Sequence, residues 1–141
     1  MQAIIPYLTF NGNAAEAMAF YAKALGGAVE FQQTFGESPM KVSEDTKDKI
    51  MHATFKAGEL SIMCSDTNDE MGKVTPGSNI SLSLNFNDEE SINTTFEALA
   101  EGGKITMPLE NTFWNARFGM LTDKFGFNWM LNHDLPQKEH T

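Results

Sequence analysis

The sequence predicts an α+β fold built from two copies of a β-α-β-β-β module, because one pattern occurs twice along the chain. Residues 7–31 and residues 82–106 each read as a strand, an Asn-rich helix cap, a helix, a Gly-Gly pair and a second strand. Gly26 in the first copy matches Gly102 in the second, with an offset of 76 residues. Further strand-like segments follow each copy and complete the module.

The first module is expected to contain four strands and one helix. AIIPYLTF is the first strand, and Asn13 is placed to cap the helix with Glu16 as its capping-box partner. Gly26-Gly27 ends the helix, because a left-handed C-terminal cap favours glycine. AVEFQQTF alternates as the second strand, and GESPMKVSEDTKDK is a polar loop. IMHATFKAGELSIMCSD then reads as two strands around a turn at Ala57-Gly58.

The second module repeats this order. NISLSLNF is a strand, Asp88 is the candidate helix cap, and Gly102-Gly103 ends the helix. KITMPLE is the next strand. The last two strands are expected at roughly 115–122 and 127–131, and Asp123 is expected to organise the turn between them.

The predicted modules together form one domain over residues 1–141. A four-stranded sheet with one helix leaves its other face uncovered, so two such modules are expected to form a curved mixed sheet around a cavity. Module one is predicted over about 1–68 and module two over about 77–133. Residues 134–141 are expected to be a polar tail that frays, with His133 close to it.

The composition excludes several classes of partner. The chain carries 19 acidic and 10 basic residues, a net charge of −9, and no Lys/Arg cluster, which disfavours nucleic acid and anionic membranes. No apolar run approaches the ~18 residues of a membrane span, and the N-terminus lacks the features of a signal peptide. Cys64 is the single cysteine, so a disulfide within the chain is impossible and the cytoplasm is the expected location. No cationic neighbour in sequence would activate this thiol, which favours a buried structural role.

Three ordered motifs carry a family resemblance that covers nearly the whole chain: PYLTFNGNAAEAMAFY, HATFKAGELSIMCSD and FWNARFGMLTDKFGFNWMLN. On these motifs the chain resembles the PhnB-like branch of the vicinal oxygen chelate superfamily, which includes glyoxalases, bleomycin resistance proteins and extradiol dioxygenases. The resemblance implies a small-molecule ligand and a homodimer. Some members of the branch carry a methyltransferase label. A Rossmann-type methyltransferase would have a Gly-rich turn after its first strand, whereas FNGNAAEA has one glycine, so we disfavour that activity.

The resemblance also implies where a metal ion would bind. Enzymes of this superfamily usually hold a divalent metal with His, Glu or Gln side chains from both modules. The matching positions here fall near Pro6, at Ile62 or Met63, among Asn79, Ser81 and Ser83, and at Met130. None of these residues is His, Glu or Asp, so we expect no metal at the usual positions and no other cofactor.

Five residues are candidates for contact with a substrate or ligand: His52, Trp114, Phe118, Phe10 and Met63. His52 is either an acid/base or ligand-binding group in the cavity or a half-buried strand histidine bonded to a neighbour. Trp114 and Phe118 either stack on a flat ligand or fill the core. The repeat is expected to place Trp114, at the start of the third strand of module two, in a position comparable to that of His52.

Strand alternation limits how much of the last motif can line a cavity. Phe118 and Met120 share one face of their strand, while Arg117 and Gly119 share the other. At least half of this motif is therefore core, and Trp129 is the stronger core candidate of the two tryptophans. Which face lines the cavity stays open at this point.

Two functions remain, from different classes. The first is binding of a small apolar or aromatic molecule in a cavity between the two modules, without the usual metal site. The second is a metal-dependent lyase, isomerase or dioxygenase of the same superfamily with atypical ligands, among which His52 is the first candidate. The missing metal donors favour the first. Whether the protein is an enzyme, and on which molecule it acts, is left open by the sequence.

Overall fold

The computed structural model describes residues 1–136, which divide into two compact units. The first unit is Met1–Thr75, and the second begins at Pro76. Both units have the order β-α-β-β-β. The first contains β1 (Tyr7–Phe10), α1 (Ala14–Leu25), β2 (Ala28–Thr34), β3 (Ile50–Ala57) and β4 (Leu60–Asp66). The second contains β5 (Leu82–Phe86), α2 (Glu89–Ala100), β6 (Lys104–Asn111), β7 (Ala116–Thr122) and β8 (Asn128–Asp134).

Each unit forms one four-stranded mixed sheet. The strand order is β1-β4-β3-β2 in the first unit and β5-β8-β7-β6 in the second. β1 pairs with β4, and β5 with β8, in parallel, while the remaining pairs are antiparallel. The predicted α+β fold of two repeated β-α-β-β-β modules is therefore confirmed.

The core of the first unit lies between α1 and one face of its sheet. Because buried residues recur along α1 at helical spacing, one side of this helix is apolar and packs inward. Its buried residues are Ala14, Ala17, Met18, Tyr21 and Ala24. They are matched by buried residues of the strands, namely Leu8, Phe10, Ala53, Phe55, Ile62 and Cys64.

The second unit has the same construction around α2. This helix buries Ile92, Phe96 and Leu99, and the sheet contributes Leu121, Trp129 and Leu131. A β-carbon on Gly119 would lie 2.7 Å from Cε2 of Phe96, so the close approach of α2 to β7 requires glycine there. The prediction that half of the last motif is core is confirmed, since Gly119 and Leu121 face the helix.

The first helix is capped differently from the prediction. The side chain of Asn13 makes no capping hydrogen bond, so the Asn13–Glu16 capping box is wrong. The carboxylate of Asp66, at the end of β4, accepts the amide N–H of Ala14 at 2.9 Å instead. Sequence reasoning missed this cap because the acceptor lies 52 residues from the helix start.

The other helix ends are close to the predictions. Asp88 caps α2, accepting the N–H of Ser91 at 2.7 Å. Gly26 adopts the left-handed conformation at φ 72° directly after α1, as predicted. Gly102 also has a positive φ, 75°, but it lies one residue further from its helix than expected, because Glu101 occupies the cap position.

The later strand boundaries differ from the predictions in two places. The β3–β4 turn is at Gly58-Glu59, one residue later than expected. β8 continues to Asp134, so His133 belongs to the sheet, and the first tail residue is not frayed. The N–H of Leu135 donates to the carbonyl oxygen of Asn115 at 3.0 Å. The rest of the predicted tail, 137–141, lies outside the described residues. No helix in the described part of the chain is both long enough and apolar enough to cross a membrane.

Candidate functional site

The face of each sheet that lies opposite its helix carries a row of side chains set by the strand register, and we call it the open face. In the first unit, β1, β4, β3 and β2 contribute one residue each to such a row. Tyr7 pairs with Met63, Met63 with Thr54, and Thr54 with Phe31. Paired residues in neighbouring strands point to the same side of a sheet. This row is therefore one continuous surface across the first unit.

His52 lies at the centre of this surface, because it is two residues before Thr54 on β3 and so points the same way. Its Nδ1 lies 3.2 Å from the hydroxyl oxygen of Tyr7. The Tyr7 and His52 rings are stacked, with centroids 5.8 Å apart, and the centroid of the Phe31 ring lies 6.3 Å from that of His52. His52 is half-buried, whereas Tyr7 is 48% and Phe31 52% exposed. The open face of the first unit is therefore an aromatic surface with one imidazole in it.

The open face of the second unit is richer in methionine. The register aligns Met107 with Met120 and Met120 with Met130. Phe118, next along β7 on the same face, pairs with Asn132 of β8. A polar edge follows, in which the Asn132 side-chain amide donates to Asn85 Oδ1 at 3.2 Å and to Asp134 Oδ1 at 3.1 Å. This face combines an adaptable apolar strip with hydrogen-bonding amides.

Trp114 lies beside this second surface and not within a strand. It occupies the turn before β7, in which Asn115 has a positive φ of 65°. The indole is 51% exposed, and its ring packs edge-on against Phe118 at 5.9 Å and Phe113 at 5.0 Å between centroids. The turn therefore holds an indole face available for contact next to the open face.

The predicted equivalence of His52 and Trp114 is wrong. Tyr7 and Ser83 begin the corresponding rows of the two sheets, since each pairs with a methionine of the adjacent parallel strand. On the third strand these rows contain Thr54 and Met120. His52 and Phe118 each lie two residues earlier on the same face, so Phe118 is the counterpart of His52. The prediction failed because it counted strands and did not use the register, which only the pairing supplies.

The structure groups four of the five candidate residues on or beside open faces. His52 and Met63 share the first unit's surface, and Phe118 and Trp114 are in contact in the second unit. Phe10 lies apart from them: it is 3% exposed and alternates with Tyr7 and Thr9, so it belongs to the helix side.

Sequence reasoning missed Tyr7 and Phe31, which flank His52. Both stand in segments correctly predicted as strands, and both are aromatic. Tyr7 lies 45 residues before His52 in the sequence, and Phe31 lies 21 residues before it. The strand order brings all three together, and this order cannot be read from a short stretch of sequence.

The residues of the open faces do not fit a divalent metal ion. Among the positions at which the superfamily resemblance implies ligands, Pro6 has no donor side chain and Ile62 is buried on the helix side. The strand register places Met63, Ser83 and Met130 on the open faces, and thioether and hydroxyl groups are poor ligands for such ions. Within residues 1–136, no three His, Cys, Asp or Glu side chains come together in a group that could hold a metal. His52 stands as a lone imidazole donor on its face.

Cys64 lies on the helix side of β4 and is buried. Burial and, to a smaller extent, the negative charge of Asp66 together raise the pKa of its thiol to about 11. A thiol held in its neutral form is a poor nucleophile. The expected structural role of Cys64 agrees with this environment.

Comparison with known proteins decides the family. A model of the family described as 3-demethylubiquinone-9 3-methyltransferase matches residues 2–132. The chain belongs to this family. Protein YjdN of Escherichia coli (strain K12), a similar protein, is 35% identical over 137 residues, which cover 90% of this chain and 92% of YjdN.

Solved structures connect the family to the PhnB proteins and to the glyoxalase-like fold. Protein PA1353 from Pseudomonas aeruginosa is 43% identical with a TM-score of 0.85, covering 96% of this chain and 100% of its own. A PhnB protein from Bacillus cereus, named there a putative 3-demethylubiquinone-9 3-methyltransferase, is 33% identical with a TM-score of 0.75, covering 94% and 99%. The fosfomycin resistance protein FosX from Listeria monocytogenes, solved with Mn(II) and sulfate, shares the fold at 11% identity and a TM-score of 0.64, covering 94% and 93%. The resemblance to the PhnB-like branch is confirmed.

Proposed function

We propose that this PhnB-like protein binds a small, neutral, apolar or aromatic molecule against the open faces of its sheets, without metal chemistry. The observation that carries this proposal is the aromatic surface of Tyr7, Phe31 and His52, in which two rings are about half exposed on a sheet face without a helix. Aromatic side chains with one free face offer large contact area and stack on flat ligands.

The available surface suits weak to moderate binding. A bicyclic aromatic molecule, similar in size to an indole side chain, buries about 200 Å². At about 25 cal/mol per Å², this burial is worth roughly 5 kcal/mol, which corresponds to a dissociation constant between micromolar and millimolar. The net charge of −9 disfavours anionic ligands, and the apolar rings of the open face suit an uncharged one.

The second unit supports the same proposal independently. Trp114 presents half of its indole to solvent beside Phe118, and Met120 and Met130 continue this surface. Methionine side chains adapt to ligands of different shape. Both units therefore carry apolar surface of the same kind on the same side of the sheet relative to their own helix.

The alternative activities lack support from the residues present. A metal-dependent lyase, isomerase or dioxygenase needs a set of anionic or imidazole ligands, and His52 is the single such group in its row. A Rossmann-type methyltransferase needs a parallel sheet with a Gly-rich turn, whereas both sheets here are mixed and four-stranded. We further propose, from the family resemblance and the single cysteine, a homodimer located in the cytoplasm.

Titration of a flat hydrocarbon probe tests the proposal. A fixed, dilute amount of fluorescent 2-ethylnaphthalene is titrated with wild-type protein and with Trp114→Ala, and melting curves are recorded for both. Because Trp114 is exposed, we expect Trp114→Ala to weaken probe binding about threefold or more while the melting temperature changes little. Phe113→Ala serves as the comparison, since Phe113 is 98% exposed and contacts Trp114 by its ring edge, so it should weaken probe binding less than Trp114→Ala does.

The proposal is wrong if the wild-type protein does not bind the probe up to millimolar protein. The assignment of Trp114 alone is wrong if Trp114→Ala melts far lower while its folded fraction binds the probe as well as wild type does. In that case Trp114 stabilises the fold and does not contact the ligand.

A further inference from the structure

We infer that His52 donates a hydrogen bond from Nε2 to an oxygen of the ligand, and that Tyr7 positions it to do so. The ligand class is then a neutral, flat, aromatic molecule carrying a carbonyl or similar acceptor oxygen. This inference rests on the proposed function and deepens it, because it names a polar group that the ligand must present to the first unit's open face.

The contact between Tyr7 and His52 determines which imidazole nitrogen carries the proton. The Tyr7 hydroxyl oxygen lies 3.2 Å from Nδ1 of His52. A phenol is a good donor and its oxygen a weak acceptor, whereas the unprotonated imidazole nitrogen is a strong acceptor. The favourable arrangement therefore has the Tyr7 O–H donating to Nδ1. A neutral imidazole whose Nδ1 accepts must carry its proton on Nε2.

Within residues 1–136, the contact with Tyr7 is the sole hydrogen bond of the His52 side chain. The Nε2–H of His52 therefore has no hydrogen-bond partner in this part of the chain. Every buried side-chain nitrogen or oxygen in this part of the chain has a partner. Since Nε2 has none, it must reach solvent. A donor that stays open on an otherwise apolar face can bind an acceptor from outside the protein.

The surrounding rings fix the position of this donor. Tyr7 stacks on His52 at an interplanar angle of 29°, and Phe31 lies tilted beside it at 44°. These rings restrict rotation of the imidazole, and Tyr7 also holds it by the hydrogen bond. A flat ligand that covers the rings would exclude water from Nε2–H, so its oxygen must replace the lost water contact. A ligand without an acceptor would leave the donor unsatisfied.

Two probes of matched shape test the inference. 2-Acetylnaphthalene carries one carbonyl oxygen, and 2-ethylnaphthalene replaces it with hydrogen atoms. We expect the wild-type protein to bind the acetyl probe about five- to tenfold more tightly, the net gain of one neutral hydrogen bond. His52→Phe should abolish this preference while still binding the ethyl probe, since it keeps a ring at that position. His52→Gln, with an amide donor, should restore part of the preference.

The protonated nitrogen can be observed without any substitution. Nitrogen-15 chemical shifts distinguish the two tautomers of a neutral histidine, and we expect Nε2–H for His52. His133 is an internal control with the opposite tautomer, because its Nδ1 lies 3.0 Å from the carbonyl oxygen of Phe86, which can only accept. Tyr7→Phe keeps the stacked ring and removes the hydroxyl. It should shift His52 toward a mixture of tautomers and reduce the preference for the acetyl probe.

The outcomes separate the inference from the proposed function. If the wild-type protein binds neither probe, the proposed function fails and the inference fails with it. If it binds both probes equally, or if His52 carries its proton on Nδ1, the inference fails while the proposed function stands. If Tyr7→Phe changes neither the tautomer nor the preference, Tyr7 is not a positioning residue.

Discussion

Asp66 connects three parts of the first unit through one buried carboxylate. Its Oδ1 accepts the N–H groups of Gly12 at 3.1 Å and Ala14 at 2.9 Å, and its Oδ2 accepts the N–H of Ile50 at 2.9 Å. The carboxylate thus caps α1 and anchors the start of β3 at the same time. Bonds from amides to a charged acceptor are stronger than neutral ones, so this single residue fixes several chain segments.

Replacing Asp66 should therefore destabilise the protein strongly. Asp66→Asn places an amide N–H₂ against backbone N–H groups, so at least one of the three bonds is lost and a buried donor is unsatisfied. We expect the free energy of unfolding to fall by about 3 kcal/mol, measured by urea denaturation. Asp48→Asn is the matched control, because Asp48 is exposed and its carboxylate accepts no hydrogen bond within the described residues. Equal effects of the two substitutions would contradict the role of Asp66.

Cys64 should make stability depend on pH in the alkaline range. Its pKa is about 11 in the folded protein against 9.0 for an ordinary thiol, because burial and then Asp66 disfavour the thiolate. A raised pKa means that the stabilising contribution is complete below about pH 9 and is lost as pH rises toward about 11. The wild-type free energy of unfolding should therefore fall more steeply over this range than that of Cys64→Ala. Parallel pH profiles of the two proteins would show that the thiol contributes nothing.

The two tryptophans should respond in opposite ways to substitution. Trp129 is 0% exposed, and its Nε1–H donates to Oδ2 of Asp123 at 2.8 Å. Trp129→Phe removes this bond and leaves a cavity, so we expect a loss of about 2–3 kcal/mol in the free energy of unfolding. Trp114→Phe, the same change at an exposed site, should cost less than about 0.5 kcal/mol. Thermal and urea denaturation of both variants measure the difference, and a larger effect at Trp114 would reverse our assignment.

At the scale of elements, the Gly-Gly pair after each helix serves two separate physical needs. The first glycine supplies a positive φ, and the second allows the backbone of a neighbouring strand to approach. A β-carbon on Gly26 would have no atom within 4 Å, whereas one on Gly27 would collide with the carbonyl oxygen of Lys56 on β3. The repeat has the same arrangement, since a β-carbon on Gly103 would collide with the carbonyl oxygen of Thr122 on β7.

Alanine substitutions should separate these two needs. Gly26→Ala forces a side chain into the left-handed region without a collision, so it should cost about 1 kcal/mol. Gly27→Ala must displace backbone and should cost more, about 2–3 kcal/mol. Gly102→Ala and Gly103→Ala should show the same order, as measured by unfolding midpoints. If replacing the first glycine of each pair destabilises the protein more, the close approach of the strand is not the reason that the second position requires glycine.

At the scale of the whole molecule, charge is the dominant feature. The net charge is −9, and the ion pairs Lys47–Glu44 and Lys56–Glu30 both lie on the surface. Exposed pairs of this kind contribute little, so repulsion among acidic side chains is the larger electrostatic effect.

Salt should therefore stabilise the protein. Because ions screen repulsion between like charges, raising NaCl from low concentration to about half molar should raise the melting temperature by a few degrees. Glycerol at equal osmolality is the uncharged control. At low concentrations, NaCl should raise the melting temperature more than glycerol does. A melting temperature that falls as NaCl is added would mean that the ion pairs outweigh the repulsion.

The proposed homodimer is also tested at this scale. Sedimentation equilibrium should give a mass of twice the 15.6 kDa of one chain. The measurement belongs beside the probe titrations, because a change of mass on adding probe would mean that ligand binding and assembly are coupled. A mass of one chain at all concentrations would overturn the proposed dimer.

The sequence by itself determined the order and type of the elements, because those depend on neighbouring residues. Alternation identified the strands, helical spacing and Gly26 ended the first helix close to its true position, and Asp88 was found as a cap three residues from its donor. The same local logic showed correctly that Phe118 and Gly119 face opposite sides of β7.

Only the tertiary structure decided which residues meet. Tyr7, Phe31 and His52 come together because the strand order is β1-β4-β3-β2, and Asp66 reaches the start of α1 for the same reason. Strand pairing is a long-range choice made by hydrogen bonds and by burial of a shared face, and no short segment contains it. The candidate site depends on that pairing, whereas the elements that build it depend on the local sequence.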